Sequence, residues 1–499
     1  MKNNLISKEK KRKINLRIQE DIYAPQYHFI APEGNALPFD PNGAIYWKGK
    51  YHLFYIFQDS HLPQGGHCWG HASSPDLLHW TYHPTALTPA EDDPDAGIFS
   101  GNAFVSREGV PTLAYFGIGA GICLAQSTDD DLSTWTKLEG NPVISIPQPG
   151  DPGWGIYNVF DPHIWFDGTQ YFAILGGNVK PGDLYDTAYL FKSQDLVHWE
   201  YLSPFYTPHP EWTEPVEDCA CPDFFQIGDR HMLLCISHSH GTRYYLGHLE
   251  NERFIPEEHH RMNWPGGSCF APESLVDSSG RRVFWAWVPD QRKGDSIYKK
   301  ELGVMSLPRE LAMDAQGQLL IQPAGELASL RQKPWTLESL HLSSPDVFQL
   351  PEIHGNSLEI LIDALLPEHG RLGVNVFMHP DGDEQTTVTV DVSKRTLSVD
   401  TRYNSLRKDI VRYFPMMRGE PRIDVGLQVA PFTLMPGENL QLRIFIDRSI
   451  IEVFANGRQC VTQRVYPTLP DSQYIGLGCE RGDIVVNNLT VWTIKPTNL

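Results

Sequence analysis

Between residues 27 and 289 the chain alternates short apolar runs, rich in Val, Ile, Tyr, Phe and Trp, with clusters of Gly, Pro, Asp and Asn. Long patterns of 3.6-residue period are absent, so the spacing predicts strands and turns in an all-β chain. An internal repeat sharpens this. Asp76-Leu77-Leu78-His79-Trp80, Asp131-Leu132-Ser133-Thr134-Trp135 and Asp195-Leu196-Val197-His198-Trp199 share D-L-x-x-W, with their Trp residues 55 and 64 positions apart. Each follows a Ser-bearing strand end. A strand, turn, strand unit recurring at this period predicts the four-stranded blades of a β-propeller, with room for about five in roughly 250–300 residues. Residues 325–333 offer one short helical segment. Alternating strands resume from about Leu337, including residues 441–447 and 450–454, and Asn456-Gly457 after the latter is a strong hairpin signal. The expected division is a basic polar tail over 1–20, a five-bladed β-propeller over 21–326, a linker with a short helix over 327–340, and a β-sandwich over 341–499.

A chain of 499 residues is too long for one core, which agrees with two domains. With 61 acidic against 41 basic residues the net charge is -20, which argues against nucleic acid or an anionic membrane surface as partner and suits an uncharged small-molecule substrate. The 13 Trp and 20 Tyr suit surfaces that stack on sugar rings, and equally well packed β cores. Lys8, Lys10, Lys11, Arg12 and Lys13 lie in a polar N-terminus without the apolar segment of a secretory signal, read here as a solvated tail. No apolar run is long enough for a transmembrane helix. The eight Cys are scattered through apolar or mixed segments and read as buried thiols in a reducing compartment, so a cytoplasmic protein is expected. Cys219-Ala220-Cys221 has no second pair at zinc-ligand spacing, and His71, His79 and His198 stand at no such spacing either. Neither a metal site nor a cofactor is expected, and the three His read as turn or core residues.

The candidate chemistry centres on Phe39-Asp40-Pro41-Asn42-Gly43, set before two aromatic-rich strands. The Pro and Gly force a tight turn that holds the Asp40 carboxylate at a sheet edge, where a ligand could lie against it. An isolated D-P-N-G is equally explained by an Asx turn, in which the carboxylate bonds its own backbone. Further motifs change that balance. Trp69-Gly70-His71-Ala72, Phe99-Ser100-Gly101, Asp161-Pro162, Cys221-Pro222-Asp223 and Asp447-Arg448-Ser449-Ile450-Ile451-Glu452-Val453-Phe454 follow D-P-N-G in the order seen in glycoside hydrolase family 32, which the chain resembles from about Tyr27 to Trp492.

The resemblance implies a five-bladed propeller with a central funnel, a C-terminal β-sandwich, and retaining hydrolysis of terminal β-fructosyl groups, with no cofactor. Such chemistry needs one carboxylate as nucleophile and one carboxylic acid that later acts as base. By resemblance Asp40 is the nucleophile and Asp161 the carboxylate that stabilises the transition state. The family has Glu directly before Cys-Pro-Asp, but this chain has Ala220. Glu217 is therefore assigned as acid/base, returned to the site by a bulge at the strand start, with Asp218 and Glu214 as competitors. Asn42, Trp69, Phe99 and Ser100 fall at substrate-binding positions. Three polar contacts of the family are apolar here, at Phe39, Ile56 and Phe160, and Gln58, Asn102, Asn158 or His163 could replace them. The 447–454 motif reads as a structural hairpin of the sandwich, a domain that could also support a homo-oligomer. A hydrolase acting on sucrose or short fructo-oligosaccharides, a fructosyltransferase, and a non-catalytic carbohydrate-binding propeller all remain open.

Overall fold

The computed structural model describes residues 2–62, 66–292, 303–345, 347–410, 412 and 425–498. Five antiparallel sheets follow one another along the chain, over residues 41–82, 98–145, 162–204, 220–261 and 270–323. Each runs up and down through four strands in sequence order, and the second carries a further short strand, Ile144–Ser145. The first strand of each sheet adjoins the first strand of the next, and those of the fifth and first sheets also meet, so the five are in cyclic order. Interior strands are apolar throughout: in Lys50–Gln58 all seven central residues are buried, as expected where both faces of a sheet are covered.

The D-L-x-x-W repeat forms the turn between the third and fourth strands of the first three sheets. Leu77, Leu132 and Leu196 each adopt a left-handed backbone (φ 66°, 52° and 67°). An aspartate holds each turn by accepting backbone N–H bonds, from Leu78 and His79 to Asp76 and from Val197 and His198 to Asp195. In the second copy this acceptor is Asp129 rather than Asp131. The indole N–H of Trp135 and of Trp199 closes its own turn on the carbonyl of Leu132 or Leu196. The fourth sheet makes the same connection by a tight hairpin at Asn251-Glu252, and the fifth by the Asp314 to Gly317 turn, which is why the repeat stops at three. His79 and His198 bond their turn aspartates, and His71 packs in the core, stacked between Phe54 and His83.

The N-terminus is not a solvated tail. Lys2–Glu20 is an α-helix (α1) that buries Ser7, Ile14 and Ile18 on one face while Lys8, Lys11 and Lys13 face water. Arg17 donates to the carbonyls of Ala31 and Glu33, and Lys10 pairs with Glu33 at 2.8 Å, which ties α1 to the segment leading into the first sheet, while the Tyr82 N–H of that sheet donates to the Ser7 hydroxyl. The basic run concealed this sparse apolar stripe. The expected linker is also mostly strand: the helical segment is a 3-10 turn, Gly325–Leu330, and Arg331–Ser343 already belongs to the second domain.

That domain is two six-stranded antiparallel sheets packed face to face around a core that includes Ile360, Val374, Ile444, Val453 and Leu477. The 447–454 motif joins it to the rest. Asp447 accepts the backbone N–H groups of Gln26, Tyr27 and His28, while Glu452 accepts from Leu307 and pairs with Arg309 at 2.9 Å. Both carboxylates are fully buried, so the motif is a clasp between domains as well as a hairpin. Among the described residues no helix is long and apolar enough to cross a membrane.

Candidate active site

The site lies where the first strands of the sheets begin. Four of these five strands break register near their starts, at Asn42/Ile45, Ile98/Gly101, Ala220/Asp223 and Phe270/Glu273. Such bulges turn side chains out of the regular alternation and beside one another. Asp40 just precedes its strand, Ser100 and Cys221 sit within the bulges, and Asp161 directly precedes Pro162 of the third sheet. Together with Phe99, Phe160 and His238 they line a small recess of about 40 Å³, whose apolar walls are Pro38, Ile236, Phe270, Ala271 and Trp287.

Asp40 and Asp161 converge there. The Ser100 hydroxyl donates to Asp40 Oδ2 at 2.6 Å, the Cys221 backbone N–H donates to Asp161 Oδ2 at 3.0 Å, and the Cys221 thiol lies 3.8 Å from Asp40 Oδ2 and 3.5 Å from Asp161 Oδ2. Neither carboxylate has a Lys or Arg partner among the described residues. Burial therefore pushes Asp161 up to about 7, helped by the charge of Asp40 and opposed by the Cys221 N–H and by His238. Burial raises Asp40 as well, against the Ser100 hydroxyl, the charge of His238 and the Cys221 thiol. The Cys221 thiol, desolvated beside both acids, is pushed well up and stays protonated.

Glu217 is placed differently. Its side chain is buried away from the recess, gripped by Arg261 at 2.7 Å and Arg243 at 3.2 Å, and it accepts the Glu214 N–H. Burial would raise its pKa, but the Arg261 hydrogen bonds and the two guanidinium charges outweigh that and hold it at about 2. A bulge does occur at Ala220/Asp223, as expected, yet it turns Cys221 inward and leaves Glu217 behind. The competitor Asp218 bonds His238 and lines an adjoining cavity of about 610 Å³, which meets the recess at Phe160 and His238 and is also lined by Asn158, Asn178 and Lys180. Glu214 is on the surface, with 70 % of its side chain exposed.

Of the expected substrate contacts, Phe99 and Ser100 line the recess. Asn42 is committed internally: its amide donates to the Asp40 carbonyl and its oxygen accepts the Gly101 N–H, fastening the first sheet to the second. Gln58 bonds the Leu37 carbonyl and the His67 ring, and Trp69 is a core residue whose indole N–H bonds the Phe99 carbonyl. Asn102 bonds the backbone of Ile164, and His163 faces Asp223, so neither takes over a lost contact. Phe39 stacks in the core against Phe29 and Tyr55. Cys221 and His238 were missed by sequence reasoning. For Cys221 the signal was its place in Cys-Pro-Asp; His238 had none.

Two desolvated carboxylates without a Lys or Arg partner among the described residues thus face a recess among five sheets that are joined to a β-sandwich. Residues 28–323 match the glycosyl hydrolases family 32 N-terminal domain and residues 326–493 the family 32 C-terminal domain, so the chain belongs to glycosyl hydrolase family 32. Relatives of similar length include the sucrose-6-phosphate hydrolase of Escherichia coli, 29 % identical over 95 % of both chains. The fructan 6-exohydrolase of Beta vulgaris is 27 % identical over 96 % of this chain and 88 % of its own. Among solved structures, fructan 1-exohydrolase IIa of Cichorium intybus superposes with a TM-score of 0.80 over 95 % of this chain and 98 % of its own at 23 % identity, a likeness of fold.

Proposed function

We propose that this chain is a retaining glycosidase that releases terminal β-D-fructosyl units from sucrose or short fructo-oligosaccharides through a covalent fructosyl-enzyme intermediate. In this reading the five sheets are the blades of a closed five-bladed propeller, and the reacting sugar enters by the larger cavity beside the recess. Asp40 is the nucleophile, attacking the anomeric carbon, and Asp161 stabilises the oxocarbenium-like transition state. The observation that carries the reading is the convergence of two buried carboxylates on one thiol, with no Lys or Arg partner among the described residues. Such groups favour partners that supply hydroxyl donors or developing positive charge, which a fructosyl group in reaction provides. Sucrose and fructan substrates are drawn from the relatives' activities, and eight free thiols agree with a cytoplasmic setting.

Glu217 does not supply the proton in this proposal, because a carboxylate held by two arginines at about 2 is ionised throughout the working pH range. Ala220 at the usual acid position favours a second reading, a carbohydrate-binding propeller without turnover. Chromatography of products after incubation with sucrose, kestose, inulin, levan and an arabinan separates the readings. Free fructose from sucrose or kestose, abolished in Asp40→Ala, is the expected result. Lengthened oligosaccharides would indicate fructosyl transfer, and binding without any product would favour the second reading.

A further inference from the structure

A glycosidase without an acid at Ala220 needs another proton donor at the recess wall. Ala220 pairs with Ile236 across the fourth sheet, and two steps further along the same antiparallel register Asp218 stands opposite His238. The structure closes that pair: the His238 backbone N–H donates to Asp218 Oδ1 at 2.9 Å, and the ring Nδ1 bonds Asp218 Oδ2. With Nδ1 held, Nε2 is the ring nitrogen left to exchange a proton, and among the described residues it has no hydrogen-bond partner. The ring lines both the recess holding Asp40 and Asp161 and the larger cavity, so it stands at the boundary where a leaving group would part from a fructosyl unit.

We propose that His238, oriented by Asp218, is the general acid and base of this enzyme. The inference rests on the fructosidase reading above. In the first half-reaction an Asp40 oxygen bonds to the anomeric carbon while the glycosidic C–O bond breaks. Its electron pair passes to the leaving oxygen, which takes the proton from Nε2 of the imidazolium. In the second half, neutral Nε2 takes a proton from water as the water oxygen bonds to the anomeric carbon and the bond to Asp40 breaks, restoring carboxylate and imidazolium. The surroundings suit these roles. Burial alone would strip the imidazolium proton, but the hydrogen bond and charge of Asp218, with the charges of Asp161 and Asp40, outweigh it and raise the pKa. Lys180 and Asp183, paired with each other at 2.6 Å, are the other charged groups lining the larger cavity, and the Cys221 thiol faces the ring from the recess.

The test compares sucrose with 4-nitrophenyl β-D-fructofuranoside, whose leaving group needs no proton. His238→Ala is expected to lose about 10²–10⁴-fold in kcat/KM on sucrose, far less on the nitrophenyl fructoside, and to lose the basic limb of its pH profile. Azide should restore turnover of the nitrophenyl substrate as fructosyl azide. Should that variant not fold, Asp218→Asn keeps the imidazole in place and is expected to move the basic limb to lower pH, and an NMR titration of His238 in the unaltered protein should follow that limb. Equal losses on both substrates, or an unmoved basic limb, overturn the assignment. Should the unaltered protein hydrolyse sucrose, Asp40→Ala abolish it and His238→Ala retain it, only this inference falls. No turnover of either substrate by the unaltered protein removes the fructosidase reading and this inference with it.

Discussion

Two sets of buried carboxylates in this chain have opposite surroundings. Glu217 and Glu452 are almost fully enclosed, and each is met by arginine, Glu217 by Arg243 and Arg261 and Glu452 by Arg309. Asp40 and Asp161 are enclosed to a similar degree but meet a hydroxyl, a thiol, a backbone N–H and an imidazole ring. The first set is held below the usual carboxylate range and the second above it. Desolvation is common to both, so burial does not separate structure from chemistry. The nature of the compensating group does: a guanidinium fixes a carboxylate as a strut, whereas hydroxyl, thiol and imidazole leave it free to meet a substrate.

The sharpest way to break this contrast is Asp40→Asn. Fructose release is expected to fall by at least about 10³-fold, as for loss of a nucleophile, while the melting temperature holds or rises because a poorly compensated buried charge is gone. A joint loss of stability and activity would place Asp40 among the struts. Glu217→Ala and Glu452→Ala should behave in the opposite sense. Glu452→Ala takes the carboxylate from buried Arg309 and should cost about 3–5 kcal/mol in denaturant unfolding, whereas Glu217→Ala should cost less, because Arg243 keeps Asp186 at 3.3 Å and Arg261 is partly exposed. An unchanged stability for Glu217→Ala together with lost turnover would restore it as acid/base.

A smaller effect distinguishes the two sets by sign. The folded-state pKa of Asp161 is raised to about 7, so the folded protein binds the extra proton between its ordinary value near 3.8 and 7. Its contribution to stability is present below that window and is lost as pH rises through 7. Asp161→Asn should therefore gain stability relative to the unaltered protein between pH 4 and 7, at up to about 1.4 kcal/mol per pH unit. Glu217, lowered to about 2, contributes stability that is present above its ordinary value near 4.5 and is lost as pH falls towards 2, so Glu217→Ala should narrow its deficit in acid. Urea midpoints across pH 4–7 check the first slope, and across pH 2–4.5 the second.

The all-β character, the repeat turns and the edge position of Asp40 were legible because each is local, whereas Asp161 was reached only through the resemblance of its motif to the family. A D-L-x-x-W turn or a D-P-N-G edge carries its geometry within five residues. The fate of Glu217 was not legible. It is decided by Arg243 and Arg261, 26 and 44 positions further on and brought alongside only by the sheet. His238 was hidden in the same way, since its partnership with Asp218 exists only once the Ala220 and Ile236 strands pair. The α1 helix escaped because, among its described residues, Ser7, Ile14 and Ile18 alone are buried and give almost no periodic signal in sequence.

The most direct measurement is peptide mapping by mass spectrometry of protein quenched in acid during turnover of sucrose. The account predicts one anhydrofructosyl unit on the peptide bearing Asp40, absent in Asp40→Asn. The same adduct on the peptide bearing Glu217, or steady fructose release by Asp40→Asn, would contradict it.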